Sequence, residues 1–164
     1  MPHLFLDTEW ANDASRELVS LALVSHDGAH RFYAERHPLP GAPASFVREV
    51  VYPLLDRGIT ALPDSEFCDA LRTFLGQFED PIVLADGSLD FKMLAHALNG
   101  FGRLGLPPAP SWRPMLVTYG DVLMQVEAYF DAHADASARR HHAMVDAEAL
   151  RLAWLAVTRK TPAL

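Results

Sequence analysis

Cysteine is nearly absent: Cys68 is the only one among 164 residues. No internal disulfide can form, cysteine-based zinc sites are excluded, and a reducing cytoplasm is the expected setting. Long apolar runs are missing too. No stretch of about 18 apolar residues exists, so no membrane span is expected. The start, Met1-Pro-His-Leu-Phe-Leu-Asp7, has no basic region ahead of an apolar one, as a secretory signal requires. Basic residues are few: 14 Lys and Arg against 21 Asp and Glu, for a formal net charge of −7. Proteins that grip long duplexes through many phosphates do so with basic side chains, so tight binding of long DNA is not expected. Divalent cations supplying positive charge locally would lift that objection where only a few nucleotides are held. The eight histidines are scattered rather than set at ligand spacing, which excludes a metal-storage role. No repeat is visible.

What remains is half hydrophobic, enough for the core of one domain spanning residues 1–164. His3–Trp10 alternates Leu4 and Leu6 on one face with Phe5 and Asp7 on the other, as a central strand does. Leu18–Val24 is a second strand, His26-Asp-Gly-Ala29 a hairpin turn, and Arg31–Ala34 the returning third strand. Three prolines (38, 40 and 43) mark a loop. Phe46, Val47, Val50, Val51, Leu54 and Leu55 then recur at helical spacing. Asp64 or Ser65 caps a second helix with an apolar face of Phe67, Leu71, Phe74, Leu75 and Phe78. Pro81–Asp86 predicts a buried strand, Leu89–Leu98 a helix, Gly100–Pro114 a surface loop, Met115–Tyr119 a short strand and Val122–Phe130 a helix. A last helix runs from His141 to Lys160 with Ala147, Leu150, Ala153, Trp154 and Val157 inward. This order predicts an α/β fold whose mixed sheet has antiparallel first strands and flanking helices.

Acidic residues stand where these elements begin or end. Asp7 and Glu9 lie two apart on a strand, so both project from one face. Paired carboxylates repel unless a cation lies between them, and hard divalent cations prefer carboxylate oxygens; solvation at an exposed strand end is the plainer account of the pair alone. Asp90 falls in the first turn of a helix, where the dipole alone explains an acid, and Asp86 can be a cap. Asp146 follows His141 by five residues. Taken together they match one chemistry. Phosphodiester hydrolysis uses two divalent metals about 4 Å apart, carboxylates from separate elements to hold them, and a base near neutral pH, for which histidine is suited.

In this form the chain resembles the DEDDh exonucleases of the ribonuclease H-like superfamily. Asp7-Thr8-Glu9 matches the first motif, Ala85-Asp-Gly-Ser-Leu-Asp90-Phe-Lys-Met-Leu94 the second, and His141-His-Ala-Met-Val-Asp146-Ala the third, His-x4-Asp. His142 would give the wrong offset. The motifs run in order from residue 4 to about 154, and the opening is most similar to small mycobacterial-type exoribonucleases. The resemblance implies a ribonuclease H-like mixed sheet and a 3′→5′ exonuclease that releases nucleoside monophosphates from single-stranded RNA ends. It also implies two divalent cations, Mg²⁺ or Mn²⁺, held by Asp7, Glu9, Asp90 and Asp146, with His141 taking the proton of the attacking water. A DNA exonuclease and a catalytically silent RNA-binding protein are the alternatives, and a homodimer is a common family assembly. Where many members have His-Asn-Ala before the second-motif acid, this chain has Ala85-Asp86-Gly87. Thr8, Trp10 and Asp86 are the expected substrate contacts. Trp10 either stacks on a terminal base or packs at the sheet edge. The loop before His141, rich in small residues (Ala134 to Ala138), is expected to close on substrate, with Arg139 and Arg140, and more remotely Lys92 and Arg113, as candidates for phosphate contact.

Overall fold

A computed structural model describes residues 1–14 and 16–159. Its elements, in chain order, begin with strands β1 (His3–Trp10), β2 (Leu18–Ser25) and β3 (Arg31–Arg36). Helix α1, the π-helical Val47–Val51 running on into Tyr52–Leu54, leads to β4 (Ala61–Leu62), α2 (Asp64–Leu75), β5 (Ile82–Ala85) and α3 (Ser88–Leu98). β6 (Arg113–Leu116), α4 (Gly120–Ala132), α5 (Ala134–Ser137) and α6 (Ala143–Thr158) complete the chain. The six strands form one sheet in the order β4-β3-β2-β1-β5-β6. β1, β2 and β3 pair antiparallel, whereas β5 joins β1 in parallel and β4 and β6 add parallel edges. The fold is therefore α/β with a mixed sheet between helices, compatible with a ribonuclease H-like arrangement.

Side-chain alternation decides which helix covers which face. Leu4 and Leu6 of β1 pack with Phe67, Leu71 and Leu75 of α2 and Leu94 and Leu98 of α3. Phe5 points the other way, into a cluster with Leu150 and Ala153 of α6 and Val122 of α4. β2 is buried along its whole length, because helices lie on both faces and strands on both sides; its near-continuous apolar run follows. Each large apolar side chain so buried contributes roughly 1.5–3 kcal/mol, so the sheet centre is the most strongly held part.

Several boundaries differ from expectation. β4 escapes prediction because two residues carry no readable pattern. α1 widens to a π-turn, with the Tyr52 N–H donating to the Val47 carbonyl; Pro53 follows, without an N–H and with a ring that crowds the preceding turn. β6 begins at Arg113, two residues before the expected strand, and runs through Pro114. Ala134–Ser137 is a helical turn, α5, rather than a loop. Most consequential, α6 begins at Ala143, so His141 stands before the helix and not on it. Lys160 lies outside the described residues. Among the described residues no helix is long and apolar enough to cross a membrane.

Candidate metal and active site

The site forms where β1 and β5, parallel neighbours, deliver their carboxyl ends, which is where open α/β sheets place their crevices. Asp7 and Glu9 leave β1 on the face covered by α6. The pairing of β1 with β2 shifts register between Glu9 and Trp10, the kind of irregularity that re-aims side chains beside a site. After β5 the chain turns through Asp86 and Gly87 into α3, with Asp90 in its first turn. Asp146 occupies the first turn of α6. Both helix N-termini favour an acid through their dipoles. These elements converge on a cleft of about 500 Å³ that Asp7, Glu9, Asp90, His141 and Asp146 all line, together with Thr8, Trp10 and Asp86.

Within the cleft, ligand atoms of Glu9, His141 and Asp146 lie within 4.8 Å of one another, a group that could hold a metal ion. Asp7 and Asp90 line the cleft outside that group. Asp7 Oδ2 and Asp146 Oδ1 are sealed from solvent and accept no hydrogen bond from any described residue. Buried anionic oxygens without a donor are costly, and a hard cation is the partner that would satisfy them.

The proton affinities tell the same story. Burial, then repulsion from Asp146, Glu9, Asp90 and Asp86, pushes the Asp7 carboxyl well above the usual range. Glu9 is raised to about 8 by burial and by Asp146 and Asp90. Asp146 rises to about 6, mainly through burial. Asp90 also rises to about 6, burial outweighing its bonds from Thr8. Such a cluster stays fully ionised at neutral pH only with positive charge beside it.

Thr8 projects from β1 opposite to its acidic neighbours. It is 3% exposed, and its hydroxyl and backbone N–H donate to Asp90 Oδ1 at 2.6 and 3.1 Å. The structure thus gives Thr8 the task of holding Asp90. Asp90 is equally confined from the other side: a Cβ on Gly87 would fall 2.6 Å from its Oδ2. Trp10 lines the cleft, its Nε1 reaching Asp13 Oδ1 at 3.5 Å, and Asp86 is exposed on the rim.

His141 sits in a left-handed conformation, φ 74°, sparsely populated by non-glycine residues. Its surroundings hold it there. Its N–H donates to Asp146 Oδ2 at 2.9 Å, and its ring stands perpendicular to that of Phe46, with centroids 4.9 Å apart. Burial, then the Arg140 charge, lowers the affinity of that ring for a proton. His142 is buried and stacks on Tyr33 at 4.5 Å, with its Nε2 3.5 Å from Asp56. Arg139 pairs with the same Asp56 at 2.7 Å. Asp56 is itself anchored, its N–H donating to the fully buried Glu35 at 2.7 Å. Both flanks of His141 are thereby tied to the end of α1.

Of the four candidate cations, only Arg140 lines the cleft; Arg113 pairs with Asp80 and Lys92 is exposed on α3. Sequence reasoning missed Gly87, Asp56, Glu35 and the site role of Phe46. Phe46 continues the apolar rhythm of α1 yet is 50% exposed, since periodicity cannot distinguish a core position from a cleft wall. No protein-family model matches the chain, and no curated protein matches it significantly.

Proposed function

We propose that this chain is a metal-dependent 3′→5′ exonuclease that removes nucleoside monophosphates from single-stranded RNA ends. One observation carries the reading: acids from three separate elements and His141 line a single cleft, with two of the buried carboxylate oxygens unpartnered among the described residues. A silent binding protein would have no use for so costly an arrangement. Asp7, Glu9, Asp90 and Asp146 would hold two divalent cations, Mg²⁺ or Mn²⁺, which when bound supply the positive charge that activates water and offsets charge building on the phosphate.

The protein's own residues do the rest. His141, fixed through its backbone by Asp146, accepts the proton of the attacking water. Thr8 keeps Asp90 turned into the cleft. Trp10 and Phe46 contribute aromatic rings to the cleft lining, and stacking of a terminal base on such a ring is favourable and sequence-tolerant. The direction of attack and the preference for RNA rest on the DEDDh resemblance of Asp7-Thr-Glu9, Asp90 and His141-x4-Asp146. DNA ends are the second substrate to test, because the 2′-hydroxyl is what distinguishes the two.

The test is degradation of end-labelled single-stranded RNA and DNA, side by side, with Mg²⁺ or Mn²⁺. Stepwise shortening from the 3′ end, lost with EDTA and in His141→Ala, is the expected result. No cleavage of either strand by a chain that binds metal would refute the proposal.

A further inference from the structure

Six carboxylates line the cleft, those of Asp7, Glu9, Asp13, Asp86, Asp90 and Asp146, and among the described lining residues Arg140 is the single Lys or Arg. An anionic strand entering so acidic a space is held by bound cations and by whatever fixed positive charge lines it. We infer that Arg140 is a phosphate-binding residue of this cleft, kept in place by Glu127 until a nucleic-acid phosphate displaces that carboxylate. The inference rests on the nuclease reading and adds to it the residue that grips the substrate backbone.

The geometry of the pair supports an exchange. Arg140 forks onto the Glu127 carboxylate of α4 at 2.8 and 2.5 Å, and its guanidinium lies 4.8 Å over the ring of Phe130, another lining residue. A guanidinium seated over a ring can keep that contact while its anionic partner changes. Carboxylate and phosphate offer the same pair of acceptors to that fork, so one replaces the other without rebuilding the site. The pair is open to solvent, the side chains being 40% and 59% exposed, and exposed pairs are held weakly. Arg139 supplies the contrast: one residue earlier, it turns to Asp56 and lies outside the cleft lining. Adjacent arginines with the same formal charge thus have separate tasks, one tying down the His141 segment and the other facing the substrate.

Binding of a fluorescein-labelled single-stranded oligoribonucleotide tests this without turnover, using His141→Ala protein with Mn²⁺ and fluorescence anisotropy over a range of salt. Adding Arg140→Gln is expected to weaken binding on the order of tenfold, as for a lost charge-assisted hydrogen bond. It should also flatten the dependence of log affinity on log salt by about 0.7, one phosphate contact on a single strand. Glu127→Gln is expected to tighten binding about threefold, since an exposed competing pair is removed. Arg139→Gln makes the same charge change next door and should leave the slope unaltered. Unchanged affinity and slope in Arg140→Gln would overturn the inference, as would a Glu127→Gln variant that binds as poorly as Arg140→Gln, because the pair would then be a structural latch. Absence of any oligonucleotide binding by the wild-type chain would overturn the nuclease reading and the inference together; binding that Arg140→Gln leaves intact removes the inference alone.

Discussion

If the acidic cleft exists to hold cations, the chain is destabilised without them, and the penalty depends on pH in a calculable direction. Below about pH 4 the carboxylates are protonated whether the chain is folded or not, and no penalty arises. As pH rises, the unfolded chain releases its protons first, while the folded chain retains them at Asp90 and Asp146 up to about 6 and at Glu9 up to about 8. The native state then binds more protons than the unfolded one, so stability falls from about pH 4 to about pH 8. Glu9, held at about 8 instead of 4.5, contributes on the order of 3 kcal/mol of this loss at pH 7, before discounting for solvent reaching its half-buried carboxylate. Bound Mn²⁺ or Mg²⁺ reverses the trend, because the cation prefers the ionised ligands. At a concentration about 100 times its dissociation constant it adds about 2.7 kcal/mol, or roughly 5–11 °C in Tm for a chain of this size. Calorimetric Tm across this pH range, with EDTA or Mn²⁺, should show the metal-induced gain growing with pH. Asp7→Asn should raise the Tm of the metal-free protein and abolish most of the gain. A gain independent of pH, or one that survives Asp7→Asn in a variant less stable than wild type, would refute the reasoning.

The structure makes further predictions. Gly87→Ala drives a methyl onto Asp90 Oδ2 and should reduce the proposed nuclease activity on the order of a hundredfold, as small misplacements at reacting centres do, with little change in Tm. Thr8→Val leaves Asp90 with one donor fewer and should lower stability by about 1.5–3 kcal/mol at neutral pH; urea unfolding reads this directly, and an unchanged midpoint would contradict the contact. Asp56→Ala unties Arg139 and His142. Its kcat should fall while KM holds, and amide exchange across residues 139–142 should quicken; equal effects on kcat and KM would argue against a positioning role.

How much of this was legible beforehand depends on the range of the interactions. Alternation along β1 separates Asp7 and Glu9 from Leu4 and Leu6 without any tertiary knowledge, and the hairpin at Gly28 follows from local turn chemistry. The offset from His141 to Asp146 is readable, but its geometry is not: helical periodicity extends the pattern of α6 backward over His141, where the backbone has in fact turned left-handed. Thr8, between two acids, reads as a substrate contact; its bond to Asp90, far along the chain, has no signal in the sequence. Glu35 and Asp56 escape for the same reason. Each is an ordinary charged residue in sequence and becomes informative only once β3, the end of α1 and the segment before α6 are brought together.

The sheet's borders have a consequence for behaviour in solution. A six-stranded sheet with so apolar an interior strand as β2 invites edge-to-edge association in any copy with an open margin. Here one margin is β4, only two residues long, and the other is β6, where Pro114 contributes no N–H and Arg113 carries charge. Neither of these two short strands itself offers a long continuous ladder to a second chain. Aggregation on heating should therefore begin only when the sheet itself opens and exposes β2, so that turbidity follows, and does not precede, the loss of the native fold.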